Sequence, residues 1–135
     1  MLQPVVIDGI RTPIGKLNGA MKDIQPEEIA AFLLQKICER SHLDIRLLDA
    51  VILGQAKQSS DQPNIARLAA LMTKFPLEVQ AYTVHRQCGS GMQAVQNAAQ
   101  EIMCGYADFV LAGGVEGMSN AQYYLREARR GYAVG

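Results

Sequence analysis

Short β-branched runs alternate with stretches of helical period along most of this chain, and that order restricts the possible folds more than any single residue does. "PVVIDGI" (residues 4–10) reads as a first strand that breaks at "RTPIG". Between Glu27 and Ser41 apolar residues recur at helical spacing, with Ile29, Leu33 and Ile37 on one stripe and Ala30, Leu34 and Cys38 beside it. Pro26 suits a first helical turn, and Glu27 and Glu28 suit the positive end of the helix dipole. "AVILGQ" (50–55) reads as a second, buried strand, and "NIARLAALM" (64–72) as a short helix capped by Asn64. "VQAYTVHRQ" (79–87) is the third strand, and Ser90 to Cys104 is the longest helix, closed by Gly105. "DFVLAGG" (108–114) is the fourth strand. Strands separated by single helices predict βαβ units, a mainly parallel sheet and covering helices, which is an α/β fold.

Charge narrows the choice of partners. Thirteen basic and thirteen acidic residues cancel, and like charges do not cluster beyond pairs. The electrostatic footprint expected of a nucleic-acid or anionic-membrane binder is therefore missing, which leaves small molecules and proteins as partners. The sequence holds no basic leader and no apolar stretch long enough to span a bilayer, so neither export nor membrane insertion is expected. Cys38, Cys88 and Cys104 are an odd set without CxxC or metal-ligand spacing. They fit a reducing, cytoplasmic compartment better than a disulfide framework, and no metal is expected.

In open parallel sheets, functional groups gather at the carboxyl ends of the strands. Three turns fall there: "GQAKQSS", "RQCGSG" and "AGGVEGMS". Cys88 lies in the second, where the third strand gives way to the longest helix. Its thiol is expected to meet the unpaired N–H groups and positive dipole end of that helix, which favours the thiolate and lowers the pKa from the free value of about 8.5. Glycines at 89 and 91 are expected to let the turn be tight, and the Cys88 N–H to help bind an oxyanion. Gly91, Ala94 and Ala98 form a small-residue row along the helix, beside an apolar row of Met92, Val95, Ala99 and Ile102, so neighbouring backbone can come close. Cys38, inside an amphipathic helix, and Cys104, at a helix's far end, read as structural.

Other motifs do not fit. Around Ser90 the outer positions of a serine-hydrolase elbow hold Cys88 and Met92 in place of glycine. "AGGVEGMS" has Val115 where a dinucleotide fingerprint needs its second glycine, and no clear helix follows. His85 is three residues from Cys88, a spacing that turns side chains to opposite faces of a strand. His42 ends a helix and reads as solvated, and Arg126, Arg129 and Arg130, with Glu127 among them, read as an exposed helix face.

"HRQCGSGMQA" followed by "AGGVEGMS", and preceded by "RTPIG", "AVILGQ" and "NIARLAAL", resembles the N-terminal part of the thiolases, the acetyl-CoA acetyltransferase and 3-ketoacyl-CoA thiolase family. The resemblance runs in order over almost the whole chain. It implies a thiolase-like α/β half over residues 1–119 and the start of an inserted loop region over 120–135. It also implies that Cys88 is the catalytic nucleophile, that acyl-CoA and CoA are the substrates, and that no further cofactor is used. By the same resemblance the edge strand Gln80 to Gln87 pairs with its copy in a homo-oligomer. His85 stands where the family commonly carries Asn. The family's Gly-His-Pro and Asn-Glu-Ala motifs and its second catalytic cysteine are not found among the 135 residues, so the chain reads as part of such an enzyme, inactive alone. Two other readings stand beside this one: a non-catalytic interaction module of the same fold, and a thiol-redox protein using Cys88.

Overall fold

The computed structural model describes residues 2–132. Three parallel strands, β1 (Ala50–Gly54), β2 (Gln80–Val84) and β3 (Val110–Gly114), lie in the order β2-β1-β3. Three helices accompany them: α1 (Pro26–Ser41), α2 (Ile65–Leu71) and α3 (Ser90–Cys104). Register is in phase on both sides, with Ala50 opposite Gln80 and Val110, and Gly54 opposite Val84 and Gly114. A strand flanked on both edges and covered on both faces can expose nothing, and all of β1 is buried.

The alternation along β1 divides the core. Val51 and Leu53 pack with Ala30, Leu34 and Cys38 of α1 and with Ile65, Ala66, Ala69 and Ala70 of α2. Ile52, on the other face, packs with Ala94 and Ala98 of α3, bordered by Tyr82, Val84 and Val110. The result is an α/β/α sandwich whose two cores lie on opposite faces of the sheet, with Ala81 and Leu111 bordering one and Tyr82, Val84 and Val110 the other.

The helices begin and end where the residue types predict. Pro26 starts α1, Glu28 and Gln25 form a reciprocal capping box, and His42 ends the helix in a left-handed conformation (φ 53°), exposed to solvent. Asn64 caps α2 by accepting from the Arg67 N–H at 3.1 Å. Gly105 closes α3 at φ 74°. The buried stripe of α1 is Ala30, Leu34 and Cys38 with Ala31 and Glu27. Ile29, Leu33 and Ile37, the bulkier stripe, are only half-buried and line an open trough of about 1220 Å³.

Two expectations fail. Residues 4–10 form no strand: Val6 is 85% exposed, and the segment is tied to α1 where Arg40 bonds the Asp8 carboxylate (Nε–Oδ2 2.7 Å) and the Gly9 carbonyl (2.7 Å). A β-branched run becomes a strand only against a neighbour that takes its N–H and C=O groups. Here it lies along the trough, across from the outer edge of β3, where the backbone of Val110, Ala112 and Gly114 faces away from β1. Residues 121–132 contain no helix, so the arginines at 126, 129 and 130 lie on an exposed irregular segment with one loose ion pair, Arg130 to Glu127 at 3.9 Å. The last three residues of the expected loop region, 133–135, lie outside the described residues.

Candidate active site at the carboxyl ends of the strands

Because all three strands run the same way, the segments after Gly54, Val84 and Gly114 emerge on one side of the sheet. The first and third are tied together. Glu116 accepts from the Ala56 N–H (2.8 Å) and the Lys57 N–H (3.2 Å), and Gln122 bridges Ser60 (3.0 Å) and Asp61 (2.7 Å). The Lys57 ammonium lies 4.8 Å from the centre of the Tyr124 ring, a cation–π distance. Glu116 and Gln122 were not singled out from sequence. A carboxylate following a Gly-Gly strand end gives a weak signal, and its partners are backbone N–H groups some 60 residues away. With Glu116 bonding this loop, the "AGGVEGMS" turn offers a carboxylate where a phosphate cradle needs free N–H groups.

The second turn carries Cys88, whose thiol is exposed at the N-terminal end of α3. No side chain caps that end; Gly89 occupies the cap position at φ −89°. The positive end of the dipole of a 15-residue helix is thus directed at the turn. The turn is built from two successive reverse turns, Gly89 N–H to Arg86 C=O (3.0 Å) and Ser90 N–H to Gln87 C=O (3.1 Å). Its left-handed residue is Gln87 (φ 48°), while the expected glycines at 89 and 91 take no left-handed conformation.

The close approach predicted for α3 occurs, but another glycine permits it. A Cβ placed on Gly54 would lie 2.2 Å from the Ser90 carbonyl carbon and 2.4 Å from the Gly91 nitrogen. The start of α3 therefore rests on the carboxyl end of β1, and Gly114 adds a second contact, with 3.1 Å from a notional Cβ to the Gly91 Cα. This packing fixes where the Cys88 turn stands relative to the sheet.

The remaining sequence candidates separate from this turn. β2 ends at Val84, so strand alternation does not extend to Cys88, and His85 is exposed with no side-chain hydrogen bond among the described residues. His42 lies at the end of α1. Cys38 is buried, and burial together with nearby Glu39 pushes its thiol pKa upward, consistent with an inert core cysteine. Cys104 is exposed at the opposite end of α3, about 22 Å from the Cys88 end at 1.5 Å per residue. Among the described residues no three His, Cys, Asp or Glu side chains converge on a metal-sized space, and no helix is long and apolar enough to cross a membrane.

A ladder of polar side chains runs along α3 beside β2. Arg86 bonds Gln93, Gln93 donates to Asn97 (2.8 Å), and the Tyr82 hydroxyl donates to Glu101 (2.7 Å) with Asn97 at 3.5 Å. Burial and the Glu101 carboxylate raise the Tyr82 phenol above its ordinary pKa, so it remains a donor.

Known proteins share this arrangement. The family model for the thiolase N-terminal domain matches residues 4–135. The chain is 39% identical to the 3-oxoadipyl-CoA/3-oxo-5,6-dehydrosuberyl-CoA thiolase of Escherichia coli K12 and 39% identical to a beta-ketoadipyl-CoA thiolase of Escherichia coli. Each match covers 98% of this chain and 34% of the relative, so the chain spans about a third of their length. The crystal structure of the Bacillus anthracis acetyl-CoA acetyltransferase superposes with a TM-score of 0.88 at 44% identity, over 92% of this chain and 32% of that one. With the strand order, the helix start at Ser90 and these matches in agreement, the chain belongs to the thiolase family, as a match to its N-terminal domain.

Proposed function

We propose that this chain supplies the nucleophile of a thiolase, with Cys88 accepting an acyl group from acyl-CoA. The observation that carries the reading is an exposed thiol at the uncapped start of a 15-residue helix, on the side of the sheet where all three strands end. The Cys88 thiolate attacks the thioester carbonyl carbon. The tetrahedral oxyanion collapses, the C–S bond to CoA breaks, and CoA leaves as a thiolate that takes up a proton. A second nucleophile then removes the acyl group: CoA in the cleavage direction, or the enolate of acetyl-CoA in the synthetic one. The exchange passes the acyl group between sulfurs of similar basicity, so CoA and its thioesters are the small molecules this step requires.

The groups that activate the second nucleophile are assigned to sequence beyond the family's N-terminal domain, with residues 1–119 as the α/β half and 120–135 as the start of a loop region. The chain alone then forms the acyl adduct slowly and does not turn over. Three free cysteines support a cytoplasmic setting, and the edge position of β2 supports a homodimer through residues 80–87. The distance along α3 between Cys88 and Cys104, and the burial of Cys38, argue against an intramolecular redox pair.

The test is incubation with acetyl-CoA followed by peptide mass spectrometry, with a hydrogen peroxide arm beside it. Acetyl on Cys88 and not on Cys104 is the expected result. A Cys88 that is readily oxidised by peroxide but takes no acetyl group would favour thiol-redox chemistry and defeat the proposal.

A further inference from the structure

We propose that Ser90 is a positioning residue for Cys88, its buried hydroxyl holding the Arg86–Gln87 backbone in the conformation that presents the thiol at the start of α3. The proposal rests on Cys88 being the acyl acceptor, and it assigns a task to a buried side chain whose hydroxyl bonds the backbone of Arg86 and Gln87.

Ser90 is the first residue of α3 and is only 3% exposed. A serine at a helix start ordinarily accepts an N–H from further along its own helix. This one points backwards. Its Oγ accepts from the Arg86 N–H (2.8 Å) and donates to the Gln87 carbonyl (2.6 Å), which also receives the Ser90 N–H (3.1 Å). One hydroxyl therefore satisfies a backbone donor just before Gln87 and the backbone acceptor of Gln87 itself, and so brackets the residue at φ 48°.

That conformation is disfavoured for any residue with a Cβ, so something must hold Gln87 in it. Cys88 follows directly, and its direction depends on the dihedrals of Gln87. The far side of Ser90 is fixed as well, since its backbone presses on Gly54 at the end of β1. The hydroxyl thus joins a rigid sheet end to a strained backbone unit one residue before the thiol. Alanine at this position would leave the Arg86 N–H and one bond to the Gln87 carbonyl unmade, and Gln87 could relax toward a right-handed conformation.

The three cysteines provide the assay. With iodoacetamide as the probe and peptide mass spectrometry as the readout, buried Cys38 reports unfolding, exposed Cys104 reports general reactivity, and Cys88 reports the turn. In Ser90→Ala the ratio of Cys88 to Cys104 alkylation should change at least about fivefold, because thiol reactivity follows local electrostatic setting, while Cys38 stays protected. Glycine adopts φ 48° freely, so Ser90→Ala combined with Gln87→Gly should recover most of the parent ratio. A role for Ser90 in packing alone predicts no such recovery.

An unchanged ratio in Ser90→Ala overturns the proposal, as does a double variant that recovers nothing. Loss of Cys38 protection, whether in Ser90→Ala or already in the parent chain, overturns it too: the hydroxyl then serves global stability, or there is no fixed turn to hold. A parallel acetyl-CoA arm keeps the two claims apart. A parent Cys88 that takes no acetyl group while its alkylation ratio responds as stated would defeat the nucleophile reading and leave the positioning role standing.

Discussion

Cys88 and the core cysteine Cys38 differ in surroundings far more than in sequence context. One is exposed at a helix start, and the other lies in the core with its pKa pushed upward by burial. Cys88→Ser should reduce acetyl-adduct formation at this position by at least about a hundredfold, since an alkoxide needs far stronger activation than a thiolate. Cys38→Ser should instead cost about 1–3 kcal/mol of stability by burying a hydroxyl in the core, and leave Cys88 labelling unchanged. Denaturant unfolding and adduct mass spectrometry separate the two effects. The position of Cys88 between a strand and a helix was legible in the sequence because periodicity changes on either side of it. The conformation of the turn was not. Sequence reasoning placed the freedom at Gly89 and Gly91, whereas Gln87 takes the left-handed conformation and Gly54, more than 30 residues earlier, makes the room. A residue can hold a strained φ when tertiary hydrogen bonds over-determine it, and those partners are invisible to local pattern.

At the scale of elements, the approach of α3 to β1 depends on one missing methyl group. Gly54→Ala would set a carbon 2.2 Å from backbone that cannot swing aside, and should destabilise the fold by about 3 kcal/mol, read as a lower denaturant midpoint with unchanged slope. β2 offers a second test. The bonds from the Gln80 N–H to the Asp49 carbonyl (3.0 Å) and from the Gln55 N–H to the Val84 carbonyl (3.1 Å) show that even-numbered residues of β2 turn their backbone toward β1. Odd-numbered residues face the free edge, where Arg67 of α2 and its cap Asn64 already take two carbonyls: Arg67 that of Val79 (2.8 Å) and Asn64 that of Ala81 (3.1 Å). Val84→Pro, an obvious edge probe from sequence, would therefore break the ladder to β1 and destabilise the monomer. His85→Pro removes an outward N–H beyond the last rung, and should weaken homodimer association at least about tenfold with little effect on stability. Sedimentation of a protein that is already monomeric at micromolar concentration would remove the dimer from the account. The strand at residues 4–10 was misread for a related reason. Its β-branched composition was legible, but a strand also needs an edge to pair with, and composition does not report one.

For the molecule as a whole, the sequence showed an α/β order and singled out the Cys88 turn as a candidate site, and the structure adds that one flank is left open. Val5, Val6, Ile7, Ile14 and Leu17 are exposed, and the trough beside them is lined by Ile29, Leu33, Val95 and Ile102. Apolar surface on this scale favours association over a monomer in water. It agrees with a chain that covers about a third of its relatives' length, and with the proposal that Cys88 forms one part of a larger catalytic site. The most direct measurement of that claim is CoA-dependent cleavage of acetoacetyl-CoA by the purified 135-residue chain, alone and with a separately expressed downstream portion of the Bacillus anthracis enzyme. The account predicts no detectable turnover by the chain alone, turnover when the downstream portion is added, and loss of that turnover in Cys88→Ser. Robust cleavage by the chain alone, or complemented cleavage that survives Cys88→Ser, would contradict it.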